Sequence, residues 1–242
     1  MFNKKNILAF IGARAGSKGL KNKNLADLGG KSLIRWTIEA AKGSQYIDRT
    51  IVSTDSEAIA AIARQGGADV PFLRPAQLAQ DESLIEHAIE HCVNWLKENE
   101  HCQYDYIVLL QPTSPLRSAK EIDQAIEHYF RHKKTEKDHL ISVTRAPQKT
   151  AWLMRTNDAG YIEFCFDEAL TKRQRQGLDT YYLPNGAIYL GSSEIMCHLQ
   201  DHNKHILPFI MDEKSSVDID TSGDLAIALQ YLEEKKCQKS VY

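Results

Sequence analysis

Two carboxylates one residue apart, Asp218 and Asp220, and four cations between Gly12 and Asn24 are the residues of this chain best equipped for chemistry. The cations are Arg14, Lys18, Lys21 and Lys23, and their run, GARAGSKGLKNKN, contains no Asp or Glu. Glycines in such a run let the backbone approach a ligand closely, and successive backbone N–H groups form an anion nest. Arg and Lys add fixed charge, Arg in a fork that fits phosphate oxygens. The run reads as a cradle for a polyphosphate, a nucleotide first of all. Near the other end of the chain, strand period two places Asp218 and Asp220 on one face and Ile219 on the other. Like charges so close repel unless a cation sits between them, and Mg2+ takes a few carboxylates while bridging phosphate oxygens. The same stretch also supplies a helix start, Thr221-x-x-Asp224, which needs neither Asp218 nor Asp220.

A third polar segment, Gln111-Pro112-Thr113-Ser114-Pro115, breaks the strongest strand pattern in the chain, Tyr104 to Leu110. Loops at the carboxyl ends of strands are placed for substrate contact, and Gln111, which donates and accepts, suits a sugar hydroxyl or a carboxylate. Arg173, Arg175 and Gln176, then Asn185, Gly186 and Tyr189, form further polar clusters. Arg175 is suited to clamp a carboxylate, although a solvated charged loop accounts for it equally well.

Two familiar phosphate motifs fail on spacing. Gly16-Ser17-Lys18-Gly19 lacks the Walker A ending, and Arg14 stands where a dinucleotide fingerprint needs its second glycine. His87-x-x-Glu90-His91 matches an inverted zinc-protease pattern, but its helix reads as amphipathic, with the histidines at the edge of the apolar stripe.

The elements that must position these groups follow from 242 residues, 43% hydrophobic and 26% charged, enough for one large α/β domain. A net charge of −2 and a pI near 6.5 argue against nucleic acid as a partner. The five scattered cysteines, with no Cys-x-x-Cys pair, fit a reducing cytoplasm. No stretch reads as a signal peptide or a membrane span. Apolar strands (7–11, 49–53, 104–110, 140–144) alternate with helical patterns (32–42, 55–65, 83–97, 119–130), which predicts parallel βαβ units with helices on both faces. Residues 147–184 are less regular and read as an inserted flap or arm. The pattern resumes at Gly186 to Leu190 and closes with a strand ending at Asp220 and a helix from Ser222 to Glu234.

Taken together, ARAGSKGLKNKNL (13–25), FLRPAQLAQD (72–81), LLQPTSPLR (109–117), RQ with PNGAIY (175–176, 184–189) and VDID (217–220) resemble the CMP-sialic acid synthetases, cytidylyltransferases of nonulosonic acids. The likeness spans nearly the whole chain. It implies a single Rossmann-like three-layer α/β/α nucleotidyltransferase domain over 1–242, with a mainly parallel sheet and a small dimerisation insert at 147–184. It implies that CTP and a nonulosonic acid give the CMP-sugar and pyrophosphate, with Mg2+, in a cytoplasmic homodimer that engages neither nucleic acid nor membrane. Ala13, Arg14, Ser17, Lys18, Lys23 and Asn24 would hold CTP, with Arg74, Asp81 and Ser83 shaping the cytosine and ribose pocket. Gln111, Lys149, Arg175, Asn185 and Tyr189 would bind the sugar acid, Lys149 in the neighbouring subunit. Asp218 and Asp220 would hold Mg2+, and Arg14 and Lys23 would join them in catalysis; the resemblance leaves open whether Asp220 or a metal-bound water takes the hydroxyl proton. The stretch LQDH (199–202) lacks the aromatic pair that sialic acid synthetases place against the N-acyl group, and KNKN looks closer to synthetases for legionaminic acid. Two other functions fit the residues: a glycosyltransferase with Asp218-x-Asp220 as its metal motif, and a nucleotide-binding regulator without turnover.

Overall fold

The computed structural model describes every residue except 1, 3, 17–18, 167–179, 203–204 and 240–242. In chain order the strands are β1 (Ile7–Gly12), β2 (Asp27–Leu28), β3 (Lys31–Ser32), β4 (Arg49–Ser53), β5 (Tyr106–Leu109), β6 (His139–Arg145), β7 (Met154–Thr156), β8 (Ile162–Phe164), β9 (Tyr182–Ser192) and β10 (Ile206–Ile210). The main helices are α1 (Leu33–Lys42), α2 (Glu57–Gln65), α3 (Ile85–Asn99), α4 (Ala119–His132) and a final helix, Ser222–Lys239. Six strands form one sheet in the order β10-β6-β9-β5-β1-β4, and β9 alone runs against the rest.

The sheet is sandwiched because its strands are apolar on both sides. Ile7, Ala9 and Ile11 of β1 pack with Ile34, Ile38, Ala60, Ala63, Ile122 and Ile126 from α1, α2 and α4. Leu8 and Phe10 face the opposite way, onto Ala88, Ile89, Cys92 and Leu96 of α3. Capping fixes where the helices begin. Ser56 accepts from the Ile59 N–H, and Ser118 and Glu121 form a reciprocal capping box at α4.

The chain closes differently from the pattern expectation. Val217 to Asp220 is not a strand; the last strand is β10, further back, on the sheet edge beside β6. Its Pro208 is tolerated because an edge strand has one unpaired side. Ile219 keeps the alternation without the strand. Its N–H bonds the Thr113 carbonyl at 2.8 Å, and its side chain is buried with Leu28, Leu33, Ala228 and Leu232. The described part of the insert is a 3-10 turn, Gln148–Trp152, followed by the β7–β8 hairpin, where Met154, Tyr161 and Ile162 are exposed. Among the described residues no helix is long and apolar enough to cross a membrane.

Candidate active site

A cavity of about 470 Å³ opens where β1 and β5 end, at the carboxyl edge of the sheet. Parallel α/β sheets gather ligand-binding loops at that edge. Arg14, Lys23, Asn24, Arg74, Asp81, Ser83, Gln111 and Asp220 all line it, so half of the site residues singled out from sequence meet in one place, while Asp218 and Tyr189 are not among the lining.

One wall is ionic. Arg14 Nη1 lies 2.7 Å from Asp81 Oδ1, and Lys23 Nζ lies 2.8 Å from Asp220 Oδ1. The loop is held by backbone ties: Ala15 N–H to the Asp55 carboxylate (2.8 Å) and Asn24 Nδ2 to the Arg14 carbonyl (2.9 Å). Gly19 has to be glycine, because a Cβ there would sit 2.4 Å from the Asp220 carbonyl oxygen. The phosphate loop thereby touches the Asp-x-Asp segment directly. Arg74 is buried beneath, donating from Nη2 to the Ser53 carbonyl (2.7 Å) and from Nε to Ser53 Oγ (3.0 Å). Burial lowers its pKa to about 10; Asp55 opposes that shift and Arg14 adds to it.

Behind Gln111, which lines the cavity, packs a wired turn. The β6–β9 ladder breaks between the pairs Ile141–Tyr189 and Val143–Pro184, where β9 bulges. Side chains replace the missing ladder bonds. Ser142 Oγ donates to Asn185 Oδ1 (2.6 Å) and accepts from the Ile188 N–H (2.7 Å). Asn185 Oδ1 also accepts from the Ala187 N–H (3.2 Å), while Asn185 Nδ2 donates to Ser216 Oγ (2.9 Å). The bulge swings Gly186 out at φ +71°, where a Cβ would meet Gln111 Oε1, Asp218 Oδ2 and Ser114 Oγ at 3.4–3.6 Å. Gly186 thus marks the point where three polar groups converge, with a backbone conformation that other residues adopt only under strain.

Residues 8–240 match the family model for cytidylyltransferases. The chain belongs to the cytidylyltransferase family. It is 37% identical over 96% of its length to the N-acylneuraminate cytidylyltransferase of Escherichia coli, and spans about half (54%) of that longer relative. It is 35% identical to the CMP-N,N'-diacetyllegionaminic acid synthase of Legionella pneumophila, covering 94% of this chain and 96% of the relative. Its fold resembles a CMP:2-keto-3-deoxy-manno-octonic acid synthetase complexed with CTP, with a TM-score of 0.67, 14% identity and coverage of 95% and 99%. It also resembles 4-diphosphocytidyl-2C-methyl-D-erythritol synthase from Anaerococcus prevotii, with a TM-score of 0.65, 15% identity and the same coverage.

In this cytidylyltransferase the remaining expected residues fall differently. Ser17, Lys18 and Arg175 lie outside the described residues. Ala13 is buried, its N–H on the Ser53 carbonyl (3.0 Å). Asn185 is buried, its amide bonded to Ser142 and Ser216, so it builds the turn. Tyr189 is half-buried beside α3, its phenol pKa raised by burial and by Asp218. Lys149 is exposed on the insert and does not line the cavity. Sequence reasoning missed Ser142, Ser53 and Arg117, which hold the site from behind. The available signal was a hydroxyl inside an apolar strand, as in ISV (141–143) and IVS (51–53).

The Asp-x-Asp pair suits a divalent cation. Asp218 has its pKa raised by burial and by Asp220, against a hydrogen bond from Thr113. A second carboxylate so near is what a cation relieves. Among the described residues no three metal-ligating side chains cluster, His87, Glu90 and His91 included. A metal at Asp218 and Asp220 would complete its shell with water and phosphate oxygens, the habit of Mg2+.

Proposed function

We propose that this cytidylyltransferase joins the CMP part of CTP to the anomeric hydroxyl of a nonulosonic acid and releases pyrophosphate. The observation that carries the reading is the gathering of Arg14, Lys23, Arg74, Gln111 and Asp220 around one cavity, with the Gly186 turn packed beside Gln111. Arg14 and Lys23 exchange their carboxylate partners for phosphate oxygens and steady the departing pyrophosphate. Arg74 forms the floor under the nucleoside, and Gln111 holds the sugar acid. Asp218 and Asp220 hold Mg2+, which offsets charge on the phosphates when bound. Names of the relatives favour a 5-acylamino nonulosonic acid, and the LQDH stretch favours diacetyllegionaminate over N-acetylneuraminate. We place the enzyme in the cytoplasm as a homodimer, with the exposed apolar hairpin β7–β8 as the contact.

The test is pyrophosphate release from CTP and Mg2+ with N-acetylneuraminate, diacetyllegionaminate, pseudaminate and KDO in parallel. Release with one acid at much the highest kcat/KM is expected. Asp220→Asn should cut kcat about 10³-fold, or ~4 kcal/mol of barrier, because it removes half of the metal's carboxylates. Silence with all four acids, from protein that binds CTP, overturns the reading in favour of a regulator.

A further inference from the structure

We infer that Arg117 is the positioning residue of the acceptor side, the group that fixes the Gln111 loop and the Gly186 turn relative to each other. The inference rests on the acceptor assignment proposed above.

Arg117 is 2% exposed, the largest fully buried side chain in the protein's described core. No salt bridge to it is present among the described residues; Glu121, the acid that influences it, is engaged in the α4 capping box. Its Nη1 instead donates to two backbone carbonyls, Ala187 at 2.8 Å and Gln111 at 3.3 Å. One carbonyl belongs to the Gln111 loop, which lines the cavity, the other to the Gly186 turn packed beside that loop, and one nitrogen spans both. Nε and Nη2 have no hydrogen-bond partner among the described residues. Burying a guanidinium with no carboxylate partner and two idle nitrogens, three N–H donors in all, is costly for the fold. An apolar side chain of similar length would fill the same space without that cost but could not hold the carbonyls. What the cation supplies is a fixed distance between Gln111 and the residue after Gly186. That distance fixes how Gln111 is presented to the cavity it lines, because a Cβ added at Gly186 would already meet Gln111 Oε1 at 3.4 Å. Ser114 repeats the tie from the same loop, its Oγ donating to the Asn185 carbonyl (3.2 Å). The nucleotide wall has no bond to Arg117 among these contacts, so its geometry does not depend on this clamp.

The experiment compares Arg117→Met and Arg117→Lys with wild type. Steady-state kinetics on the preferred acid should show the acceptor KM raised at least ~10-fold in Arg117→Met, a ratio equivalent to one decade in binding. The CTP dissociation constant, measured without acceptor, should stay within about twofold. Arg117→Lys, which keeps one donor and the charge, should recover part of the acceptor KM. Equal changes in acceptor and CTP binding, or none in either, overturn the inference. Hydrogen exchange supplies an arm independent of turnover. The amides of Ala187 and Ile188 should exchange faster in Arg117→Met while those of β1 and α2 do not change, and unchanged exchange at 187–188 overturns it. If wild type turns over no acid, the proposed function is what fails, and exchange still decides the clamp. If Arg117→Met does not fold, Arg117→Lys carries both arms: a raised acceptor KM with faster local exchange supports the clamp, and wild-type values overturn it.

Discussion

The ionic wall of the cavity and the turn packed behind Gln111 solve opposite problems. The nucleotide wall holds its charges in side-chain ion pairs that are partly exposed, with Arg14 on Asp81 and Lys23 on Asp220. The acceptor side holds its turn with buried hydrogen bonds and no ion pair, through Ser142, Asn185, Ser114 and the Arg117 guanidinium. Exposed ion pairs contribute little to folding and exchange partners readily. Buried networks contribute to rigidity, and they are costly to break. The contrast suits the ligands proposed for each side. A polyphosphate brings enough charge to displace carboxylates, whereas a sugar acid with one carboxylate and many hydroxyls needs a surface already shaped for it.

Asn185→Leu probes the acceptor side most severely. The substitution keeps the branched shape but leaves the Ser142 hydroxyl without its acceptor, strands the Ala187 N–H and removes the bond to Ser216. It should cost about 3 kcal/mol of unfolding free energy, two or more buried groups at roughly 1–3 kcal/mol each. Urea unfolding followed by circular dichroism measures it. A loss below about 1 kcal/mol would erase the distinction between the two sides.

A smaller effect belongs to the strand behind that turn. Asp138, next to the start of β6, accepts from the N–H groups of Lys134 (2.6 Å) and Thr135 (3.0 Å), from the Thr135 hydroxyl (2.7 Å) and from His205 Nδ1 (3.3 Å). Burial alone raises its pKa, but these donors outweigh burial and hold it well below the usual carboxylate range. The folded pKa is depressed, so the stabilisation is complete above the unfolded pKa of about 4 and is lost as pH falls through the folded value. Asp138→Asn should therefore cost about 1.5–3 kcal/mol at neutral pH, the range for hydrogen bonds to a charged group. The gap to wild type should narrow as pH drops below about 4. A gap independent of pH would mean that the carboxylate charge contributes nothing to β6.

The same contrast explains what could be read from sequence. The nucleotide wall was legible because its signal is compositional: glycines and cations packed into thirteen positions after an apolar strand. The alternating strands and helices were legible from periodicity. The acceptor side was legible only as a list of polar residues. Asn185 looks the same in sequence whether its amide faces a ligand or the core, and what decides is the β9 bulge, a tertiary event opposite Ser142. Val217 to Asp220 alternates as a strand does, yet Ile219 satisfies its burial against the final helix and makes only its Thr113 tie. Alternation records which side chains are buried, and it does not require a ladder.

The smallest expected effect is the sharpest check on the nucleotide wall. Asp81→Asn removes the Arg14 ion pair, whose side chains are 31% and 41% exposed. An exposed pair of this kind contributes about 0–1 kcal/mol, so the unfolding free energy should change by less than about 0.5 kcal/mol. CTP binding should change more than stability does, because Arg14 then has one carboxylate fewer competing with phosphate oxygens. Titration calorimetry at two salt concentrations separates the effects: affinity should rise by about twofold to fivefold at low salt, and the gain should shrink as screening increases. Weaker binding at both salts would make Asp81 a direct contact for the nucleotide. A loss of more than about 1 kcal/mol in stability would make the pair structural, and the two sides would then be held together by the same means.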